Sequence, residues 1–261
     1  MEWIVLLVAG AVAGTLAGLF GIGGGLIVVP ALVLVFTSQG VSDQLLMHLA
    51  IGTSLATIVT TASSSVRAHH KRGAIDWNAF RRITPGIVVG AVCGALIADL
   101  LDSDTLRIAF ACFLIAVATQ MIINRQPAAH RQLPGVMGMS VAGSVIGTIS
   151  SMMGVGGGTM SVPFLSWCNV PMRNAVATSA AIGLPIAIGG AISFAVTGWN
   201  EPGLPQFSLG YINLPAYLGI VITGVLFAPL GATLAHRLNP VMLKRAFAVF
   251  LYIVAIRLLL G

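Results

Sequence analysis

Two glycine-rich stretches place backbone hydrogen-bond donors inside apolar sequence, and such donors suit a negatively charged group. Residues 18–30 read GLFGIGGGLIVVP, and residues 151–163 read SMMGVGGGTMSVP. Three consecutive glycines break a helix, because each costs about 1 kcal/mol relative to alanine in a helix interior. The helix that restarts after each triplet points free N–H groups and the positive end of its dipole at the break, where bare glycine lets an anion approach. The candidate glycines are Gly23, Gly24, Gly25, Gly156, Gly157 and Gly158.

Paired hydroxyl residues follow each glycine stretch and would add side-chain donors for the same anion. They are Thr53 with Ser54, and Thr178 with Ser179. Each pair is predicted to lie about seven or eight residues into a helix, roughly 12 Å deep. Two simpler interpretations stay open, since such hydroxyls often bond a carbonyl of their own or a neighbouring helix, and glycines often serve close helix packing. Weaker hydroxyl candidates are Thr15, Thr148 and Thr159.

His48 and Arg173 stand at the starts of the same two predicted helices. If the two halves of the chain are inverted, these side chains face opposite sides of the membrane. There they would gate the site or attract anions at its two entrances, and His48 would respond to pH. The alternative is that both are interfacial side chains that extend toward water.

The composition indicates that lipid surrounds this chain. Of its 261 residues, 57% are hydrophobic and 8% are charged, and the mean hydropathy is +0.99. Soluble domains carry about 25% charged residues. The net charge of +6 comes from basic residues between apolar runs, which orient a membrane protein, so nucleic acid is not an expected partner. The three cysteines show no CxxC spacing, and no cofactor, metal or disulfide is predicted.

Ten apolar segments, five in each half, predict an all-α integral membrane protein with glycine-broken or re-entrant helices. The segments lie at roughly 3–20, 26–37, 46–66, 83–101, 106–123, 134–153, 158–168, 173–197, 211–235 and 241–260. We divide the chain into a first transmembrane repeat, 1–126, and a second, 127–261. Three matches in the same order support this repeat: GTLAGLFGIGGG with GTISSMMGVGGG, LAIGTS with NAVATS, and GALIADLLDSDTLRIAF with GATLAHRLNPVMLKRAF.

The charges indicate that the two repeats are inverted in the membrane. With loop 67–82 in the cytoplasm, eleven of the thirteen Lys and Arg fall inside and six of the seven Asp and Glu fall outside, as the positive-inside rule expects. Both termini are then non-cytoplasmic, in what we expect to be a bacterial inner membrane. Ten full spans and eight units with re-entrant hairpins both satisfy the charges, although the short segments 26–37 and 158–168 favour partial penetration. A continuous helix over 3–37 would be about 50 Å long, too long for a core of ~30 Å.

The same residues resemble the TauE/SafE sulfite exporter family of integral membrane proteins. The similarity is carried by GLFGIGGGLIVVPAL, by AIGTSLATIVTTASSSVRAHHKRGAIDW, and by the second copies GVGGGTMSVPFL and AVATSA, and it covers almost the whole chain. The resemblance implies seven or eight spans from a duplicated unit. It also implies sulfite, thiosulfate or C2–C3 organosulfonates, such as sulfoacetate or sulfolactate, as substrates. The positions it carries over are the six candidate glycines and the two Thr-Ser pairs.

We therefore expect a secondary transporter that binds a small sulfur oxyanion near the midplane and opens alternately to either side. The chain has no G-x4-G-K-[ST] motif, so it carries no ATP motor of this type. Coupling would then come from an ion gradient, with a proton or sodium as the candidate ion, from a partner or from the substrate gradient. A passive anion channel is the alternative. An intramembrane enzyme is not expected, because the predicted spans hold no Ser/His or carboxylate pair. The motifs are compatible with import or export and with any oligomeric state.

Overall fold

The computed structural model describes residues 6–8, 10–15, 24–123, 132–235 and 240–260. These residues form ten helices and one short antiparallel hairpin, so the predicted all-α membrane architecture is confirmed. The first five helices are α1 (Leu6–Thr15, within the described ranges), α2 (Gly25–Ser38), α3 (Asp43–Lys71), α4 (Trp77–Leu100) and α5 (Ser103–Ile123). The others are α6 (Val136–Met152), α7 (Gly158–Trp167), α8 (Met172–Thr197), α9 (Leu214–Ala235) and α10 (Pro240–Leu260). Between α8 and α9, β1 (Ser208–Leu209) pairs with β2 (Ile212–Asn213).

The basic stretch 67–82 is mostly helical, where the sequence predicts a loop. Helix α3 continues to Lys71 and α4 begins at Trp77, so the connection shortens to five residues. Asp76 starts α4 early, because its Oδ1 accepts hydrogen bonds from the N–H groups of Asn78 and Ala79, both at 3.0 Å. Those N–H groups have no acceptor within their own helix. The sequence does not predict the hairpin either, and the helix of segment 211–235 begins only at Leu214.

Helices α3 and α8 cross the centre of the bundle in opposite directions. Near the start of α3, Gly52 packs against Phe194 close to the end of α8. Near the end of α3, Ala177 at the start of α8 shares a buried apolar cluster with Ala74. Helix α3 is the most buried of the candidate spans, since 78% of its most apolar 18-residue stretch is inside the protein. Its two ends define the Asp43 end and the Lys71 end of the bundle.

Helix α6 runs parallel to α4 at close range. Gly86 of α4 lies against Ser140 of α6, and two turns later Gly94 lies against Thr148. A Cβ at either glycine would overlap the partner's carbonyl oxygen, and small residues are what allow membrane helices to approach this closely. Because only five residues separate the end of α3 from the start of α4, α4 begins at the Lys71 end, and α6, which runs parallel to it, begins there too.

Helices α6 and α7 form a re-entrant hairpin. Helix α7 has 10 residues, about 15 Å of helix, which is half of a bilayer core. It ends at Trp167, and α8 begins at Met172 at the Lys71 end. The connection 153–157 lies halfway along α8, where Gly157 approaches Gly183. The chain therefore enters at the Lys71 end, turns in the middle of the bundle and leaves at the end where it entered.

Helices α1 and α2 are arranged in the same way at the Asp43 end. Helix α1 runs parallel to α9, with Leu6 against Gly219 and Gly14 against Gly224. Helix α9 itself begins beside the β-hairpin, next to Gly52 near the start of α3. Four residues separate the end of α2 from the start of α3. Its first residue is therefore deep in the bundle and its last is at the Asp43 end.

Lipid-facing side chains cover the outside of the bundle. Within the described ranges, four helices are long and apolar enough to cross a membrane: α3, α4, α5 and α8. Large apolar side chains are exposed along α4 and α5, as at Val89, Leu96, Ile108 and Ile122. Exposing such an apolar surface to water costs free energy, whereas exposing it to hydrocarbon does not. The described helices are therefore those of a multi-pass membrane protein.

Candidate functional site

The tips of the two glycine motifs meet in the middle of the bundle. A Cβ added at Gly25, the first residue of α2, would lie 2.7 Å from the carbonyl oxygen of Gly154 and 2.7 Å from Cα of Val155. Ile58 of α3 lies beside this contact. The structure thus brings together two motifs that are 133 positions apart in the sequence. Of the six candidate glycines, Gly23 lies outside the described residues.

The helices that follow the two motifs begin without a side-chain cap. The N-cap residues are Gly24 for α2 and Gly157 for α7, and neither has a side chain to accept a hydrogen bond. Within the described part of the chain, the N–H groups of Gly158 and Thr159 have no acceptor. Free N–H groups at a helix start, together with the helix dipole, favour an anion. The arrangement can therefore bind a negative group with backbone alone.

The second motif is enclosed by protein, and the space around its glycines differs from one to the next. Gly156 and Gly157 are buried, whereas Gly158 and Gly24 are half-buried. A Cβ at Gly157 would lie 3.0 Å from the carbonyl oxygen of Ser179 and 3.0 Å from the backbone nitrogen of Gly183. A Cβ at Gly156 would meet only Cγ2 of Ile58, at 3.7 Å. Space for a small group therefore exists beside Gly156.

Thr53 and Thr178 are completely buried and perform matching structural tasks. The Thr53 hydroxyl accepts a hydrogen bond from the backbone N–H of Asn213 at 3.0 Å, and the Thr178 hydroxyl accepts one from the backbone N–H of Asp76 at 2.9 Å. Asn213 in turn caps the start of α9, through a 2.9 Å bond from the N–H of Ala216 to its Oδ1. Each threonine thus anchors the residue that caps the helix of a distant segment. Each hydroxyl still has its own proton to donate.

Ser54 and Ser179 are equally buried but differ in their partners. The Ser54 hydroxyl donates to the carbonyl oxygen of Gly154 at 2.8 Å and so fixes the second glycine turn. The Ser179 hydroxyl has no hydrogen-bond partner in the described part of the chain. An unpaired buried hydroxyl costs free energy in the empty protein and is available to a ligand.

Further hydroxyls beside the second motif also lack partners, and the sequence analysis does not select most of them. They are Ser150, Ser151, Thr159 and Ser161, and among them only Thr159 was a candidate. The sequence does contain a signal for these four residues, because they carry hydroxyls where the first repeat does not. When the two glycine motifs are aligned, apolar residues or glycine stand at the corresponding positions of the first repeat: Ala17, Gly18, Leu26 and Val28.

His48 and Arg173 have different environments, although they occupy matching positions in the sequence. His48 is buried, and its Nε2 lies 3.0 Å from the carbonyl oxygen of Ala98. Its ring packs against Tyr211 with the ring centroids 5.0 Å apart. The interpretation of His48 as an interfacial side chain is therefore wrong. Arg173 is exposed at the Lys71 end, as an interfacial residue would be.

A pocket of about 300 Å³ opens at the Lys71 end, beside Thr178. Its polar lining comes from Asp76, Gln132, Asn169 and Asn174. Asp76, which lines the pocket, donates its backbone N–H to the Thr178 hydroxyl, so the pocket lies beside the residue that precedes Ser179. No cluster of three metal-binding side chains occurs among the described residues.

Comparison with known proteins places the chain among membrane transporters. A Haemophilus influenzae protein described as a probable membrane transporter protein is 42% identical over 260 residues, covering 98% of each chain. A protein of the same description from Methanocaldococcus jannaschii is 30% identical over 98% of this chain and 95% of its own. The Bacillus subtilis probable membrane transporter protein YunE is 27% identical over 76% of this chain and 80% of its own.

No solved structure is significantly similar to the chain. The model of the sulfite exporter TauE/SafE family matches residues 6–258. That match includes both glycine motifs and both Thr-Ser pairs, which carried the resemblance in the sequence. The chain belongs to the TauE/SafE family of membrane transporters.

Proposed function

We propose that the protein is a secondary transporter of a small sulfur-containing oxyanion: sulfite, thiosulfate or a C2–C3 organosulfonate. The observation that carries this proposal is the meeting of two uncapped helix starts in the middle of the bundle, at Gly25 and at Gly154–Gly158. Family membership supports the substrate class. The anion would be held by backbone N–H groups and by Thr and Ser hydroxyls of both repeats. The residues are Gly23, Gly24, Gly25, Thr53, Ser54, Gly156, Gly157, Gly158, Thr178 and Ser179.

The proposed mechanism is alternating access by two inverted repeats, 1–126 and 127–261. Support comes from the opposed hairpins, since α1–α2 lies at the Asp43 end and α6–α7 at the Lys71 end. The matching bonds of Thr53 and Thr178 to the capping residues of α9 and α4 support it as well. In this proposal the Lys71 end is cytoplasmic, because it carries the basic residues, and both termini are non-cytoplasmic. His48 and Arg173 would then act near opposite entrances.

The burial of the site supports a carrier more than a channel. In this proposal a proton or sodium gradient would drive the transport cycle. The hydroxyl pairs are completely buried between α3, α8 and the hairpin tips. A carrier keeps its site enclosed in this way while it changes sides, whereas a conducting channel keeps a water-filled path. An outward- and an inward-facing state would expose the site in turn.

Purified protein in liposomes tests this proposal. Labelled sulfite, thiosulfate and sulfoacetate are added outside, with and without an imposed proton or sodium gradient. We expect uptake that saturates with concentration and is accelerated by one of the two gradients. Large unitary currents in a planar bilayer, with no saturation, would instead identify a passive anion channel. Absence of both uptake and current for all three anions would refute the substrate class.

A further inference from the structure

We propose that Ser150, Thr159 and Ser161 join Ser179 as side-chain ligands of the transported anion, so that the site is asymmetric and belongs mainly to the second repeat. This inference rests on the proposed function and adds to it the residues that determine ligand specificity. All four hydroxyl oxygens are buried and have no hydrogen-bond partner in the described chain. Ser150, Ser161 and Ser179 are 0% exposed as whole residues.

Three of these hydroxyl residues flank the second glycine motif in the chain, and the fourth, Ser179, lies on the part of α8 that Gly157 approaches. Ser161 lies one helical turn after Gly157 and is buried on the same face of α7 as Leu165. Gly157 itself approaches the carbonyl oxygen of Ser179 on α8. Thr159 is the second residue of α7, beside the free N–H groups at the start of that helix. The uncapped helix start is thus accompanied by unpaired hydroxyls of its own helix and of α8.

Ser150 adds a donor from α6. Its carbonyl oxygen accepts the N–H of Val155 at 2.9 Å, which fixes the turn, while its hydroxyl stays unpaired. Ser150 also lies one helical turn after Ile146, which shares a buried cluster with Leu165 of α7 and Ile182 of α8. The same cluster includes Ile83 and Ile87 of α4. Ser150 therefore lies next to the buried packing that joins α4, α6, α7 and α8.

Its neighbour Ser151 is buried and unpaired too, but it lies elsewhere. The Ser151 hydroxyl oxygen lies 2.7 Å from where a Cβ on Gly190 would be, and Leu55 fills the same place. Gly190 is two helical turns beyond Gly183, the α8 residue that approaches Gly157. Ser151 is therefore excluded from the proposed site and provides a matched control.

The first repeat does not offer the same side chains. Leu26 and Val28, which correspond to Thr159 and Ser161, are buried in the main apolar cluster. Ala17 corresponds to Ser150 in the sequence. Ser54 corresponds to Ser179, but its hydroxyl already donates to Gly154. Among the described residues of the two hairpin tips, the uncommitted side-chain donors therefore belong to the second tip.

Uncharged hydroxyls suit a substrate that must be released again. A sulfite or sulfonate group has three oxygens that accept hydrogen bonds, and each hydroxyl is a donor that rotates to meet them. In a low-dielectric interior, such bonds to an anion are stronger than in water. A lysine or arginine would add a permanent charge whose burial costs far more when the site is empty. Neutral donors thus bind an anion at a smaller cost to the empty carrier than a buried charge would impose.

The test compares Ser150→Ala and Ser161→Ala with Ser151→Ala in the full-length purified protein. Thermal unfolding is followed without ligand and with sulfite, thiosulfate, sulfoacetate, nitrate or phosphate, and Kd is taken from the concentration dependence. We expect the two site variants to unfold without ligand at or above the wild-type temperature, because each loses an unpaired buried hydroxyl. Their Kd should rise about tenfold to one hundredfold, the value of a hydrogen bond to a charged group. Ser151→Ala should keep the wild-type Kd.

The outcomes separate this inference from the proposed function. If a sulfur anion binds all variants equally, the assignment of these serines is overturned and the transport proposal stands. A lower unfolding temperature of the ligand-free site variants would show a structural role and also overturn it. If wild type binds only nitrate or phosphate and the two site variants weaken that binding, the serine site holds and the sulfur substrate class fails. Failure of all five anions to bind wild type would refute both.

Discussion

Replacing Thr53 or Thr178 by valine tests whether these hydroxyls hold the bundle together. Each hydroxyl is the acceptor for one backbone N–H, that of Asn213 or that of Asp76, and each threonine is 0% exposed. Valine keeps the shape of the side chain but leaves the N–H without an acceptor. An unpaired buried donor costs about 1–3 kcal/mol, and hydrogen bonds between membrane helices average roughly 0.6 kcal/mol. We therefore expect about 1–2 kcal/mol of destabilisation for each variant.

Thermal unfolding of the ligand-free protein in detergent measures this effect. At roughly 2–4 °C per kcal/mol for a chain of this size, Tm should fall by about 2–8 °C in each variant. Thr53→Ser and Thr178→Ser keep the hydroxyl and should restore most of the loss. Thr84→Val is the control, because the Thr84 hydroxyl donates only to the carbonyl of Phe80 in its own helix. Wild-type Tm for both valine variants would show that the two bonds do not stabilise the fold.

Three further predictions concern the glycines and one helix cap. Gly156→Ala should fold with a near-wild-type Tm, because its Cβ meets only Ile58 at 3.7 Å, yet bind sulfite at least about tenfold more weakly; equal binding would remove Gly156 from the site. Gly25→Ala should reduce folded yield on size-exclusion chromatography, since its Cβ would lie 2.7 Å from backbone atoms of Gly154 and Val155, and a monodisperse wild-type yield would contradict that contact. Asp102 accepts hydrogen bonds from the N–H and hydroxyl of Thr105, and the hydroxyl bond is the main cause that lowers the pKa of its carboxyl. Because the pKa is lowered, the stabilisation by the ionised Asp102 is present above the ordinary carboxyl pKa near 3.8 and is lost as the pH falls through the folded-state pKa. Asp102→Ala should therefore lower Tm slightly at pH 7, and the difference in Tm from wild type should vanish in acid. A difference in Tm that is constant with pH would refute this cap.

The sequence was sufficient for the class of protein, for the positions of its helices and for its family. Composition and long apolar runs decide between water and lipid, and they do so without any knowledge of contacts. The glycine triplets were correctly placed at helix breaks, since α2 begins at Gly25 and α7 at Gly158. The family followed from motifs that are contiguous in the chain. The inverted repeat, the substrate, the coupling ion and the binding residues remain predictions.

Helix ends were predicted less well, because short-range capping decides them. One carboxylate at Asp76 begins α4 six residues before the predicted segment 83–101. The β-hairpin before α9 has only two residues in each strand, too few to leave an alternating pattern. Its place is set by the close approach of Tyr211 to Gly52 of α3, a contact between distant parts of the chain.

Only the tertiary structure decided which polar groups are already occupied and which are free. The Thr53 hydroxyl is bonded by a residue 160 positions away and the Thr178 hydroxyl by one 102 positions away, whereas Ser161 and Ser179 have no partner among the described residues. All four are small hydroxyl residues in apolar helices, so their local sequence is alike. The difference arises from contacts between helices that are distant in the sequence. One nearby hydrogen-bond donor or acceptor is enough to occupy a hydroxyl, so these contacts decide whether the hydroxyl is available to a ligand.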